Sequence, residues 1–399
     1  VRWFPHISAV LFIFSAGTCL RALANDGFYE GAGTTLVPVS SKSLRVVRER
    51  LEISALKKGR CFGLFYHGKR VTTGSDVKGD GPAEIGREVE CKSANEHTFR
   101  SWFTADATYQ IEATGDETGI QMGFPDPGWS DEYQGPDGLE GFSVPGVTGF
   151  EVAINGKRIG SLAQKRVKTV PLEEENQTEA ELPAYVWSAS FEKGKRYTVE
   201  ARYEFGDDIS AGFYPGRELP PEAKYLWFDR RPVAEAVASA PDVAAARTAI
   251  YYLHPIKLWA PPAPDVIEVR VEAPPDLPVM YLQTSTPGLR CIDTKALYFR
   301  WQHSYPDRDL RVSFPAEVDR RAFRAQPMKT DAEFSLWYET MNLVNARPGE
   351  KRKDTVGIGC DLVEALKRTV DKRSVLFTWF GPYGALKCVP SCDPEKGRR

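Results

Sequence analysis

The chain has 399 residues, 52 of them basic and 54 acidic, for a formal net charge of −2 at pH 7. That balance excludes the basic excess with which a nucleic-acid binder meets phosphates. Hydrophobic residues are 42 % of the chain and aromatic ones 12 %, enough for buried cores, and the length is that of two or three domain-sized units.

The chain opens like a secretory leader. Arg2 supplies positive charge, "ISAVLFIFSAGTCL" at 7–20 is apolar, and Ala22-Leu23-Ala24 is a small-x-small cleavage site that places the mature start at Asn25. A membrane anchor needs about 20 apolar residues; this run is shorter and Arg21 interrupts it. Without Arg2 and Arg21 the charges are 50 against 54, or −4. No later run reads as a transmembrane segment of the mature chain.

Residues 25–36 are Gly-rich and irregular. "SLRVVRERLEIS" and "RCFGLFYHGKRV" read as two strands with imperfect alternation. Residues 73–100 read as a polar loop carrying a strand at "REVEC". "ADATYQIEATGDETGIQMGFPDP" reads as a hairpin. Tyr109, Ile111 and Ala113 alternate, Gly115-Asp116 turns, Ile120, Met122 and Phe124 alternate again, and Pro125 and Pro127 close the ladder. Residues 126–149 show no period. In "FEVAINGKRIGSL", Asn155-Gly156 sits between alternating runs, the strongest short hairpin signal. An acidic loop, "PLEEENQTEAELP", precedes "WSASFEKGKRYTVEARYEF", a second predicted hairpin about a Lys-Gly-Lys turn.

Near residue 231 the chain turns Ala-rich. "RPVAEAVASAPDVAAARTA" predicts one or two short helices, with Pro232 at a first helical position and Asp242 as a cap. "IYYLHPIKLWAPP", "DVIEVRVEAP", "VMYLQTST", "ALYFRWQHSY" and "DLRVSFP" read as strands. After Pro327, Phe334, Trp337, Met341 and Val344 fall on one helix face, and Leu362, Leu366 and Val370 on another. "SVLFTWF" reads as a strand and "CVPSCDPEKGRR" as a polar end. The pattern predicts a mainly β chain: antiparallel β-sandwich domains with short helical insertions and a small α/β C-terminal segment. The expected divisions are a signal peptide at 1–24, a β-sandwich domain at 25–180, a second β-rich domain at 181–327 and a cysteine-bearing segment at 328–399.

Cys19 lies in the leader. The six cysteines beyond it, Cys61, Cys91, Cys291, Cys360, Cys388 and Cys392, are an even set in a chain with an export signal, which points to disulfides. Cys61 and Cys91 flank one predicted strand region and are the first pair to expect. The other four would link the C-terminal segment to itself or to Cys291. Zinc is not implied, because no CxxC occurs and Cys388-x-x-x-Cys392 has no partner pair.

Motifs for chemistry are missing. His67, His97, His254 and His303 are far apart, and HExxH, GxSxG, Walker A and GxGxxG signatures do not occur in a fitting context. Ser54-Ala55-Leu56-Lys57 matches SxxK, but neither SDN nor KTG follows. No cofactor or metal is implied. The aperiodic loop is the candidate binding element. Asp126, Asp131, Glu132 and Asp137 give it acidic character, and Trp129 and Tyr133 offer rings that stack on sugars or fill a partner's pocket.

The order "ANDGFYEGAG", "MGFPDP", "FEVAINGKRI", "WSASFEKGKRYTVEARYEF" and "AIYYLHPIKLWAPPAPDVIEVRVEAP" resembles an uncharacterised family of exported bacterial proteins, a domain of unknown function, over residues 24–275. The resemblance implies a signal-bearing, β-rich protein of a bacterium and supplies no catalytic residues. Asp126 between the two prolines, the Ala-rich insertion and the cysteine-bearing C-terminus depart from it. Two functional expectations follow. One is a binding or scaffolding role in the bacterial envelope, periplasmic or extracellular, toward an envelope protein or a glycan. The other is a secreted hydrolase, acting on glycans, with catalytic residues gathered from distant strands.

Overall fold

A computed structural model describes residues 32–34, 37–38, 43–72, 81–82, 84–91, 98–125, 142–143, 146–169, 180–206, 246–277, 279, 282–284, 286–306, 308–315, 356–369 and 388–393. In chain order the strands are β1 (Ala32–Thr34), β2 (Val37–Pro38), β3 (Leu44–Tyr66), β4 (Lys69–Arg70), β5 (Gly81–Pro82), β6 (Glu84–Val89) and β7 (Thr98–Ala113). Then come β8 (Glu117–Pro125), β9 (Phe142–Ser143), β10 (Val147–Ile154), β11 (Lys157–Arg158), β12 (Ala163–Thr169), β13 (Ala180–Phe191) and β14 (Arg196–Phe205). The last are β15 (Ala246–Tyr252), β16 (Val266–Glu272), β17 (Gln283–Thr284), β18 (Leu289–Ile292), β19 (Ala296–Gln302), β20 (Leu310–Pro315) and β21 (Gly357–Ile358), followed by helix α1 (Cys360–Thr369). The mainly β class read from alternation is the one observed.

One sheet dominates. Its order is β11-β10-β14-β7-β3-β16-β19-β18-β21, with β4 and β6 paired to β3. It draws strands from before residue 180, from 181–327 and from beyond 328. Two four-stranded sheets, β12-β13-β8-β2 and β1-β15-β20-β17, cover one of its faces. Aromatic rings lock the layers together. Phe124 of β8 lies 4.4 Å from Phe150 and 4.7 Å from Tyr203, and Phe314 of β20 meets Phe103 edge-on at 5.7 Å. Inward residues such as Leu51, Tyr109, Val199, Ile267 and Phe299 are closed to solvent and form one core. Most pairs are antiparallel. The pair β3–β16 is parallel, as are β18–β21 and β1–β15.

The structure corrects several local expectations. Residues 44–66 form one strand instead of two. The break in alternation is absorbed by a bulge, in which Ala55 pairs Phe103 while Arg60 pairs Ser101. Gly59 lets that bulge lie on Trp102, since a Cβ there would meet the indole at 2.8 Å. Residues 105–125 and 187–205 are not paired hairpins. Strands β7 and β14 lie in the large sheet, paired to each other, whereas β8 and β13 pair in the facing sheet. Each turn is therefore an arch that carries the chain from one layer to the other. Alternation is the same in both topologies, because in each the apolar face points to the core. The strand expected through "IYYLHPIKLWAPP" ends at Tyr252, and a 3-10 turn at His254–Leu258 follows with Pro255 at its start. The Asn155-Gly156 turn is as expected, with φ of 50° and 75°. The leader, the Ala-rich helices, the helix about Trp337 and the strand "SVLFTWF" lie outside the described residues.

Candidate functional site

The six candidate loop residues, Asp126, Trp129, Asp131, Glu132, Tyr133 and Asp137, also lie outside the described residues. All six candidate cysteines are placed, in the pairs Cys61–Cys91, Cys291–Cys392 and Cys360–Cys388. The first pair is the one named from sequence, and the other two tie the C-terminal segment to Cys291 and to itself.

The site that the structure assembles lies elsewhere, on the face of the large sheet that neither four-stranded sheet of the described residues covers. The parallel register of β3 and β16 puts Arg50 beside Glu268, Glu52 beside Arg270 and Ser54 beside Glu272. Strand β19 then sets Arg300 beside Glu268 and Tyr298 beside Arg270, and β18 sets Cys291 beside Tyr298. On the other side β7 and β14 extend the rows, with Asp106 and Arg202 in line with Glu52. Outward positions thus form a lattice of alternating charge. Crowding keeps it half-buried: the Arg270 side chain is 23 % exposed and that of Glu268 13 %.

A chain of hydrogen bonds and ion pairs crosses three strands of this face, β3, β16 and β19, and ends in the turn before β19. The Ser54 hydroxyl donates to Glu272 at 2.8 Å. Glu272 forms an ion pair with Arg270. Arg270 Nε donates to the Tyr298 hydroxyl at 3.2 Å, and that hydroxyl donates to Asp293 at 2.9 Å. Asp293 is fixed in turn by the amides of Lys295 and Ala296, at 2.8 and 2.9 Å. Burial pushes the Tyr298 phenol up, Arg270 draws it back, and the Asp293 carboxylate raises it further, to about 12. Burial also raises Glu272, but the Ser54 hydroxyl and Arg270 outweigh it and hold the carboxyl below its ordinary range. Arg270 is held above its own despite burial, by Tyr298 and Glu272.

The C-terminal segment forms a wall at the edge of this face. Strand β21 pairs with β18 in parallel, Gly359 bridges Val389, and the Cys360 amide donates to the Val389 carbonyl at 2.9 Å. Asp361 at the start of α1 accepts from the Thr294 hydroxyl at 2.6 Å. Cys388 is bound to Cys360, and Cys392 to Cys291. Between this clasp and the sheet lies a cavity of about 130 Å³. Arg50, Arg270, Arg300 and Arg290 line it, one from each of the neighbouring strands β3, β16, β19 and β18. Tyr298 and Glu268 complete the floor, and Cys392 and Asp393 the wall. Such a cavity admits a small polar group, a few water volumes of ~30 Å³ each.

Sequence reasoning passed over these arginines. Alternation in "VRERLE", "IEVRVE" and "YFRWQ" places them outward, where they read as a solvated face. Their convergence depends on pairing Ser54 with Glu272, 218 positions apart, and nothing local encodes that.

No family model matches the chain, and no curated protein does either. Among solved structures, a Legionella pneumophila protein named for nutrient binding aligns over 81 % of this chain and 86 % of its own, at 14 % identity and a TM-score of 0.41. An M1 zinc metallopeptidase of Deinococcus radiodurans aligns over 69 % of this chain at 11 % identity and a TM-score of 0.27. The alignment takes in only 43 % of that metallopeptidase. At these values neither likeness carries fold or function to this chain.

Proposed function

We propose that the protein is an exported binding protein of the bacterial envelope and that the groove between the large sheet and the C-terminal clasp is its recognition site. The observation that carries this reading is the cavity itself. Four neighbouring strands each contribute one arginine to its lining, and a disulfide fastens its far wall. A rigid sheet with a fixed wall is preorganised, so little ordering entropy is lost on binding. Export is supported by the leader pattern and by three disulfides, which persist in oxidising compartments. Among the described residues no helix is long and apolar enough to cross a membrane.

The test is a screen of the oxidised protein against a panel of small metabolites and soluble envelope extract, read by thermal shift and hydrogen exchange. The reading expects a ligand that slows exchange on β16, β18 and β19. Ligands that protect only other strands, with binding unchanged in Arg300→Ala, would move the site away from the groove.

A further inference from the structure

We infer that the groove is an oxyanion site, taking the carboxylate or phosphate group of a small ligand between Arg300, Arg290 and the Arg270–Tyr298 floor. This rests on the groove being the binding site and adds the chemistry of what it takes. The first support is charge. Four arginines line the cavity against two acidic residues, Glu268 and Asp393. Glu268 is not spare, because it already forms an ion pair with Arg48 as well as its contact with Arg300. Arg50 and Arg270 have their own ion pairs, with Glu52 and Glu272, so the charge left for a ligand centres on Arg300.

The second support is the state of Arg300. Its side chain is 36 % exposed, and its ion contact among the described residues is through Nε to Glu268 at 3.6 Å. That distance is beyond a hydrogen bond, and Nε has no hydrogen-bond partner among the described residues. The two terminal amino groups of its fork carry no hydrogen bond to any described residue. A planar fork with open donors matches two oxygens of a carboxylate or phosphate, which a neutral ligand supplies less well. The third support is the floor. Tyr298 gives its proton to Asp293 and accepts from Arg270, so its hydroxyl is committed. Its ring is overlain by the Arg270 guanidinium at 5.9 Å, which leaves it a poor platform for stacking a sugar. What the groove offers a ligand is the fork of Arg300 over a floor whose own polar groups are already paired, and such N–H donors are matched by an anion.

The experiment titrates the oxidised full chain with inorganic phosphate and, separately, with succinate, at low ionic strength, against sodium chloride as the control. One equivalent of phosphate or succinate is expected to bind, and chloride is not. Losing one charge-assisted contact, about 1.5–3 kcal/mol, corresponds to roughly a 10- to 150-fold weaker Kd in Arg300→Ala. Arg300→Lys keeps the charge but loses the fork, and should recover only part of the loss. Arg202→Ala alters the same face outside the cavity, where Arg202 pairs with Asp106, and should bind as the parent does. Binding of phosphate alone identifies a phosphate ligand, and of succinate alone a carboxylate. Equal loss in Arg300→Ala and Arg202→Ala would reduce the effect to general surface charge and overturn the site. Failure of both anions, while a neutral or cationic ligand from the panel protects β16 and β19, would overturn the oxyanion chemistry and leave the binding reading intact. If Arg300→Ala melts well below the parent, Arg290→Ala on the short strand β18 supplies the same comparison.

Discussion

The hydroxyl of Tyr109, on the large sheet, meets the hydroxyl of Tyr251, on the sheet that covers it, at 3.2 Å. Both side chains are closed to solvent. Glu49 is also fully buried and pairs directly with Tyr109 across β3 and β7. Burial pushes the Tyr251 phenol well above its ordinary value, and Tyr109, Tyr203 and Glu49 add to the rise. A raised phenol is neutral in the fold when the unfolded chain has already ionised. Its contribution is therefore complete below about pH 10, the unfolded value, and is lost as pH climbs toward the folded one. Tyr251→Phe should lower stability at pH 7 by about 1 kcal/mol through the lost bond and should flatten the alkaline limb of stability against pH. Urea melts of both proteins from pH 7 to 11 are the check. Parallel limbs would show that Tyr251 does not set the alkaline transition.

The two end pairs of cysteines should separate stability from site architecture. Cys61–Cys91 and Cys291–Cys392 close separations of 30 and 101 residues, worth about 3–5 kcal/mol each in the chain-entropy account. Both double serine variants should therefore melt lower. Of the two, only Cys291→Ser with Cys392→Ser should speed hydrogen exchange in β18 and β21, because that pair ties the wall of the groove to the sheet and Cys61–Cys91 does not. Faster exchange at β18 in the Cys61→Ser, Cys91→Ser variant would mean that the clasp depends on the whole fold.

How much of this was legible is clearest in the turns. Asn155-Gly156 reads correctly because both residues need positive φ and the residue types announce it. Cys61–Cys91 reads correctly because the flanking strand is local: Cys61 pairs with Val89, two residues before Cys91. The arches do not read correctly, because a period of two says which face is apolar and not which strand is the partner. The arginine groove was illegible for a related reason. Arg50 and Arg270 sit on strands far apart in sequence, and the parallel pairing that aligns them follows only after the chain has crossed into the facing sheet and back. The loop about Trp129, where sequence placed the site, lies outside the described residues.

The arches make their own prediction. The two turns lie side by side, and Asp116 of the first accepts from the Lys193 amide of the second at 2.8 Å. Gly194 donates to the Ala113 carbonyl at 2.8 Å and has φ of 75°. Asp116→Ala should cost about 1 kcal/mol. Gly194→Ala should cost about 1–2 kcal/mol, because alanine is strained there. The double variant should fall short of the sum, since both act on one contact. Full additivity in thermal melts would show that the turns are independent.

The chain Ser54–Glu272–Arg270–Tyr298–Asp293 should be visible as a pH window. Glu272 is held below the ordinary carboxylate range in the fold. A depressed carboxyl stabilises above its unfolded pKa, about 4.3, and that contribution is lost as pH falls through the folded value. Tyr298 lies at the other end, raised to about 12, so its contribution is complete below about pH 10 and is lost as pH rises through the folded value. Glu272→Gln should weaken the protein at pH 7 and leave its stability less dependent on pH below 5. Tyr298→Phe should do the same above pH 10. Solvent screens this half-exposed network, so each effect should be modest, under about 1 kcal/mol. The two changes share Arg270, so they should couple: with Tyr298 removed, Glu272→Gln should cost less than it does alone. Chemical denaturation of the four proteins at pH 4, 7 and 11 completes the cycle. Independent costs at pH 7 would break the chain into unconnected pairs, and with it the argument that the floor of the groove is held as one unit.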